Sequence, residues 1–311
     1  MEVYPSLAAA TGGPLAGCAV CLGNFDGAHL GHQALFALAR KHGRAAALTF
    51  EPHPGKVLQP HLAPRLITTL PRKLELLEAS GLAAVIVQPF TPDFARTPPA
   101  AFEEALLDGV RPGLVVVGAD YSYGARRAGT VATLASAAAG RGARLEVVPP
   151  VTLEGAVVSS SQVREFLLEG RVEAAARMLG RPFDLEGPVV KGDGRGRTIG
   201  VPTANVATLN ELQPAPGVYA VRARVGGGGP WLDGVANLGV RPTFGGGEPS
   251  LEVHLLDRDQ DLYGAVLRVR FLARLRAERR FGSAAELVAQ IALDAQAARE
   301  ELALTAVGAQ S

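Results

Sequence analysis

The sequence predicts an α/β domain followed by an all-β domain: a parallel sheet covered by helices, then a small antiparallel β-barrel with a terminal helix. Two textures and a length say so. Up to about residue 180, short and nearly continuous apolar runs alternate with helical stretches, the signature of a parallel sheet buried on both faces. From 184 to 276 the chain reads instead as short strands separated by turns. Its 311 residues, 48% hydrophobic and 20% charged, suffice for two ordinary globular domains at ~150 residues each.

Taken in order, strands are expected over 19–22, 45–50, 84–88, 114–118 and 145–149, with helices over 33–41, 72–79, 99–107 and 130–140 between them. A helix pair over 161–168 and 173–179 closes this half. The boundary falls at Arg181-Pro-Phe-Asp184 and gives domains 1–182 and 183–311. Beyond it, strands are expected over 187–190, 217–225, 231–238, 250–255 and 266–271, and Gly226-Gly-Gly-Gly-Pro230 joins two of them as a hairpin. A tail helix over 283–302 carries Leu287, Val288, Ile291, Ala295, Ala298 and Leu302 as one apolar stripe. Ser283 caps it, with Glu286 at the third helical position.

Charge excludes some functions. The chain has 31 basic and 30 acidic residues, divided 17 to 15 before the boundary and 14 to 15 after it. Neither half is the polycation that a general nucleic-acid scaffold needs. No run of 18 apolar residues offers a membrane span. The first ten residues carry Glu2 and Pro5 without a basic start, unlike a secretory signal, so the expected location is the cytoplasm. Cys18-Ala-Val-Cys21 invites a redox or zinc reading. In a strand, positions three apart face opposite ways, and no second cysteine pair completes a zinc site, so both are expected buried and reduced.

The sharpest motif is Gly23-Asn-Phe-Asp-Gly-Ala-His29-Leu-Gly-His32. It follows the first expected strand and opens the first helix, where an open parallel sheet places its ligands. Backbone N–H groups and the positive end of the helix suit a phosphate there, and Gly31 lets the backbone approach. The bland alternative is that His29 is a cap and His32 a core residue. No G-K-[ST] follows, so this is not a Walker loop. Ser159-Ser-Ser-Gln-Val-Arg164 adds hydroxyls and a bidentate guanidinium suited to triphosphate oxygens. Alternatively, Ser160 or Ser161 is simply an N-cap.

The first motif resembles the H-x-G-H signature of the nucleotidyltransferase superfamily, and the serine run resembles its second signature. Thr49-Phe-Glu-Pro-His-Pro54 and Val117-Gly-Ala-Asp-Tyr-Ser-Tyr-Gly124 are similar to motifs of the prokaryotic FAD synthetases. The resemblance implies a Rossmann-like nucleotidyltransferase domain in which His29, His32 and Arg164 are catalytic. Gly23, Asn24, Phe25, Gly31, Ser159, Ser160 and Ser161 are then expected at ATP, and Asp26, Asp120, Tyr121 and Tyr123 at the flavin. The sequence departs from the usual pattern at Ala28, where a larger aliphatic is common, and at Tyr121 and Tyr123, where phenylalanines are. Val158 and Ser161 replace the usual isoleucine and threonine beside the serines.

The second half carries Gly187-Pro-Val-Val-Lys-Gly-Asp-Gly-Arg-Gly-Arg-Thr-Ile-Gly-Val-Pro-Thr-Ala-Asn205. Glycines at 192, 194, 196 and 200 admit a phosphate chain, with Lys191, Arg195 and Arg197 as counter-charges. Thr203 and Asn205, two apart on an extended segment, are hard oxygen donors suited to Mg²⁺. The stretch resembles the riboflavin kinase signature, as do Gly234-Val-Ala-Asn-Leu-Gly-Val-Arg-Pro-Thr243 and Leu251-Glu-Val-His-Leu255. In the latter, alternation sets Glu252 and His254 opposite the apolar face. The resemblance assigns Glu252 as the base, Gly192, Arg195, Gly196, Arg197 and Gly200 to ATP, and Thr203 and Asn205 to the metal.

From about residue 18 to about 300, the chain is similar to the prokaryotic bifunctional riboflavin kinase and FAD synthetase family. This implies riboflavin, FMN and ATP as substrates, Mg²⁺ as metal, FMN and FAD as products, and neither nucleic acid nor membrane as partner. Spacing alone stops at two nucleotide sites. A rival reading makes the barrel a pure binding module for oligonucleotides. Such modules interleave basic and aromatic residues, whereas this half holds one Trp and a net charge of −1. A second alternative keeps the kinase and loses the FAD synthetase activity.

Overall fold

The computed structural model describes residues 1–192, 201–240, 249–258 and 261–307. The chain divides into two compact units, Met1–Ser160 and Ser161–Ser311.

The first unit is built on six parallel strands: β1 (Glu2–Tyr4), β2 (Ala19–Leu22), β3 (Ala45–Glu51), β4 (Ala84–Pro89), β5 (Leu114–Gly118) and β8 (Arg144–Val148). Between β5 and β8 lies a two-residue ladder of β6 (Ser122–Tyr123) and β7 (Gly129–Thr130); β9 (Thr152–Leu153) and β10 (Ala156–Val157) form another after β8. The helices are α1 (Leu30–Lys41), α2 (Pro54–Leu58), α3 (Leu70–Ala79), α4 (Pro99–Glu103) and α5 (Val131–Ala139). A π-helical stretch, Glu104–Val110, continues from α4.

Strand order is β1-β4-β3-β2-β5-β8. Winding therefore reverses at β2, and the crevice that such a reversal opens lies at the strand carboxyl ends, where the H-x-G-H motif begins. The apolar runs are continuous because both faces are covered. Cys18, Val20 and Leu22 pack into one core with Leu106 and Leu134, while Ala19 and Cys21 pack into another with Leu35 and Phe36 of α1. The cysteines are free and buried on opposite faces, and burial pushes both thiols up, away from the reactive thiolate.

In the second unit, α6 (Ser160–Leu168), whose first residue closes the preceding unit, and α7 (Val172–Leu179) precede a closed barrel of order β11-β12-β15-β14-β13-β16. Its strands are β11 (Phe183–Val190), β12 (Ala204–Val206), β13 (Gly217–Val225), β14 (Leu232–Val240), β15 (Pro249–Leu255) and β16 (Val266–Arg276), all paired antiparallel. Phe183, Tyr219 and Phe271 bring their rings together inside. The terminal helix α8 (Ala284–Val307) lays Ala298 and Leu302 on Ala220, Leu256 and Ala273. No helix among the described residues is long and apolar enough to cross a membrane.

Candidate active sites

At the end of β2 the chain makes a tight turn in which Phe25 and Ala28 adopt left-handed φ of 52° and 43°. Ala28 suits such a position better than a branched aliphatic would. The turn is pinned from three sides. Thr49 Oγ1 donates to the Asn24 carbonyl at 2.9 Å. The buried Asp26 carboxylate accepts the N–H groups of Ile67 and Thr68 and the Thr68 hydroxyl, tying the turn to the approach of α3. Ser160 Oγ donates to the Asp26 carbonyl at 2.9 Å, so the serine run meets the H-x-G-H turn.

Helix α1 begins at Leu30, earlier than the expected 33, because His29 caps it: the imidazole Nδ1 accepts the His32 N–H at 3.3 Å. In the neutral ring this leaves the proton on Nε2. The His29 and His32 rings stack with centroids 3.6 Å apart. Gly31 makes room for this, since a Cβ there would lie 3.0 Å from His29 Cε1. His32 Nδ1 is buried with no hydrogen-bond partner among the described residues. Burial foremost, then His29 and Lys73, hold its pKa well below the ordinary 6.5, so the ring is neutral at pH 7.

Two expected site residues have buried side chains. Phe25, expected at ATP, is fully buried, its ring edge-on to Phe36 and His32. Asp26, expected at the flavin, spends its carboxylate on residues 67 and 68. Both side chains are buried, in the tight turn where Phe25 takes a left-handed φ.

Beside the turn opens a cavity of about 410 Å³, lined by Gly23, Asn24, Phe50, Phe90, Phe94, Asp120, Tyr121, Tyr123 and Arg127 among others. Phe50, Phe90 and Phe94 touch pairwise, with centroids 5.6 to 6.0 Å apart. Tyr121 stacks on Tyr123, whose hydroxyl donates to Glu103 and lies 3.1 Å from Thr133 Oγ1. Burial and the Glu103 contact push the Tyr123 phenol up to about 12. Planar apolar walls accompanied by one carboxylate and one guanidinium suit a flat, mostly apolar ring system. The Phe triad and Arg127 were not singled out from sequence, because they come from separate segments of the chain. Ser161 and Arg164 fall in the second unit, on α6.

The barrel places a polar row across three strands. Asn205 of β12 pairs with Glu252 of β15, which pairs in turn with Asn237 of β14. Directly opposed residues share a face, so an amide stands on each side of the Glu252 carboxylate. Leu251 and Val253 are buried on the other face, as the alternation requires. Asn205 packs so tightly over Gly192 that a Cβ at 192 would lie 2.2 Å from the amide nitrogen. His254 Nδ1 lies 2.8 Å from the Pro202 carbonyl, a contact that holds the chain just before Thr203. Asn237 is the member of this row not singled out from sequence. Arg195, Gly196, Arg197 and Gly200 lie outside the described residues.

Comparison with known proteins follows this two-site geometry. A family model described as FAD synthetase matches residues 14–162, and one described as riboflavin kinase matches 179–302. A bifunctional riboflavin kinase/FMN adenylyltransferase from Escherichia coli K12 is 39% identical over 298 residues, covering 94% of this chain and 95% of its own. One of the same description from Bacillus subtilis is 39% identical over 289 residues, covering 90% of each. A solved structure described as a macrolide-efflux protein from Streptococcus pneumoniae superposes with TM-score 0.88 at 31% identity, covering 96% of this chain and 99% of that one. With both halves matched in order and nearly the whole length aligned to relatives that carry both names, the chain belongs to the bifunctional riboflavin kinase/FMN adenylyltransferase family.

Proposed function

We propose that the family's two activities divide between the two units. The barrel phosphorylates riboflavin with ATP to FMN, and the sheet unit transfers AMP from a second ATP to FMN, giving FAD and pyrophosphate. One observation supports the division above the rest: the H-x-G-H turn with its aromatic cavity lies wholly in the first unit, and the row of Asn205, Glu252 and Asn237 wholly in the second.

In the kinase, Glu252 takes the proton of the riboflavin 5′-hydroxyl as its oxygen attacks the γ-phosphorus of ATP and ADP leaves. General-base help of this kind is typically worth ~10²–10⁴ in rate. The metal expected with ATP is Mg²⁺, and the residues fit it: the Thr203 hydroxyl and the Asn205 amide oxygen would hold it, neutral hard donors beside the base, with Asn205 fixed against Gly192. When bound, Mg²⁺ neutralises phosphate charge. Gly192, Arg195, Gly196, Arg197 and Gly200 are assigned to the phosphate chain of ATP.

In the transferase, a phosphate oxygen of FMN attacks the α-phosphorus of ATP, and the bond to the β-phosphate breaks. The attacking oxygen is already ionised, so no base is needed. Positioning and charge stabilisation carry the step. His29 and His32 contribute N–H donors at the head of α1, with Gly31, Gly23, Asn24, Ser159 and Ser160 around the triphosphate. The aromatic cavity receives the isoalloxazine ring, with Asp120, Tyr121 and Tyr123 at the flavin. The test is to incubate the purified protein with riboflavin, ATP and Mg²⁺ and separate the products. FMN and FAD together are expected; FMN alone would support the variant reading in which adenylyl transfer is lost, and neither would refute the assignment.

A further inference from the structure

The outward barrel face that carries Asn205, Glu252 and Asn237 holds a second carboxylate. Gly239 lies two residues beyond Asn237 on β14 and so on the same face, while Leu238 between them is buried on the other. A side chain at 239 would collide with Glu278, since its Cβ would lie 3.1 Å from the carboxyl carbon. Glycine here lets the Glu278 carboxylate lie against the strand. Gly239 is also the diagonal neighbour of Glu252 across the β14–β15 ladder, ~7–8 Å away by strand geometry. Glu278 is exposed, and its carboxylate forms no hydrogen bond or ion pair among the described residues. The chain on either side of it is nonetheless held. Arg276, paired with Asp294, donates from Nη1 to the Ala277 carbonyl at 3.0 Å, and the Arg279 guanidinium sits 4.6 Å from the centre of the Phe281 ring.

Direction along the strands decides which substrate this carboxylate meets. β12 and β14 both pair antiparallel with β15, so they run the same way. Thr203 precedes Asn205, whereas Gly239 follows Asn237. The hydroxyl assigned to the metal therefore lies on one side of Glu252, and Glu278 on the other. In phosphoryl transfer the attacking and leaving oxygens stand roughly in line across the γ-phosphorus. Riboflavin, with its 5′-hydroxyl at Glu252, then extends away from the phosphates and past Gly239. The next carbons of its chain carry the secondary hydroxyls, a row of donors, and an ionised carboxylate only accepts. We propose that Glu278 is a specificity-determining residue of the riboflavin kinase, its carboxylate accepting hydrogen bonds from the secondary hydroxyls of the substrate's polyol chain and so holding the 5′-hydroxyl at Glu252. No bond to Glu278 forms or breaks. The inference rests on the assignment of riboflavin phosphorylation to the barrel.

Two flavins tested on variants of the full-length protein separate this role from a structural one. One is riboflavin. The other carries a 5-hydroxypentyl chain on the same ring system, which keeps the terminal hydroxyl and removes the secondary ones. Glu278→Ala should raise KM for riboflavin ~10-fold, the usual scale for losing a hydrogen bond to a charged group. Its kcat and its Mg²⁺ dependence should stay near the wild-type values. Glu278→Gln, which keeps one acceptor oxygen, should recover part of the affinity. With the hydroxypentyl flavin, wild type and Glu278→Ala should share one KM, because the hydroxyls that the carboxylate reads are gone. A wild-type KM for riboflavin in Glu278→Ala would overturn the proposal. So would an equal rise for both flavins, which would assign Glu278 to the ring or to the fold, and so would an altered Mg²⁺ dependence, which would place it at the metal. If the wild-type protein itself made no FMN from riboflavin and ATP, the underlying assignment would fail instead.

Discussion

His32 illustrates how a single side chain links fold and function at the head of α1. Its ring is stacked on His29, edge-on to Phe25, and carries a buried nitrogen without a partner among the described residues. A histidine held neutral in the fold titrates normally once unfolded, so below pH 6.5 the unfolded chain binds a proton that the folded one does not. The stability associated with the depressed pKa is present above the unfolded value and is lost as pH falls from 6.5 toward the folded value. The slope for one such proton is ~1.4 kcal/mol per pH unit. Melting the wild type and His32→Gln between pH 7.5 and 5 should show the acid-side decline shallower in the variant by about that amount, and parallel curves would contradict the neutral assignment. The motif itself was legible, since strand, glycine turn and two histidines three apart have few other uses. The inward turn of Phe25 and Asp26 was not, because a left-handed backbone leaves no trace in residue type when Phe occupies it. Nor was the burial of Lys73, since a lysine within a helical pattern reads as solvated.

At the scale of elements, α8 shows both what periodicity reveals and what it misses. Ser283 caps the helix, accepting the Glu286 N–H at 3.2 Å, and Glu286 reaches back to the Gly282 N–H at 3.0 Å. Of the expected apolar stripe, Ala298 and Leu302 are buried, while Val288 near the start is 38% exposed. Between them the buried residue is Asp294, whose carboxylate accepts from both Nε and Nη2 of Arg276, at 2.9 and 2.7 Å, and from the side-chain amide of Gln290. A bidentate pair with one member 6% exposed fixes the helix to the end of β16. Asp294→Ala leaves that guanidinium without its partner and should destabilise the barrel unit by about 3 kcal/mol, read as a lowered urea midpoint at unchanged m. A shift below about 0.5 kcal/mol would place the pair among exposed bridges of little worth. The strands with four or more apolar residues in a row were legible from sequence. The three-residue strands β1 and β12 were not: their pairing with β4 and with β11 and β15 defines them, and three residues hold too little pattern. The π-helical stretch after α4 was likewise hidden, since its apolar spacing passes for an ordinary helix.

For the whole molecule, the question is whether two units mean two independent machines. The sequence puts the boundary near Arg181, yet compactness divides the chain after Ser160, because α6 and α7 pack with the barrel unit: Glu173 accepts the Arg274 N–H at 3.0 Å, and the Leu167 carbonyl accepts that of Ala215 at 2.9 Å. A fragment of residues 183–311 holds every strand of the closed barrel and should phosphorylate riboflavin; one of residues 161–311 adds both helices and should do so with a higher melting temperature. Equal melting temperatures would show that the helices contribute nothing to the barrel. The most direct test of the central claim, two activities on two separate sets of residues, is one product analysis of two full-length variants. Each is given riboflavin or FMN with ATP and Mg²⁺. His32→Ala should make FMN at the wild-type rate and lose FAD formation by ~10²–10³, the usual cost of one preorganised donor. Glu252→Gln should convert FMN to FAD normally and lower riboflavin phosphorylation at least tenfold. Equal loss of both activities in either folded variant would contradict the division.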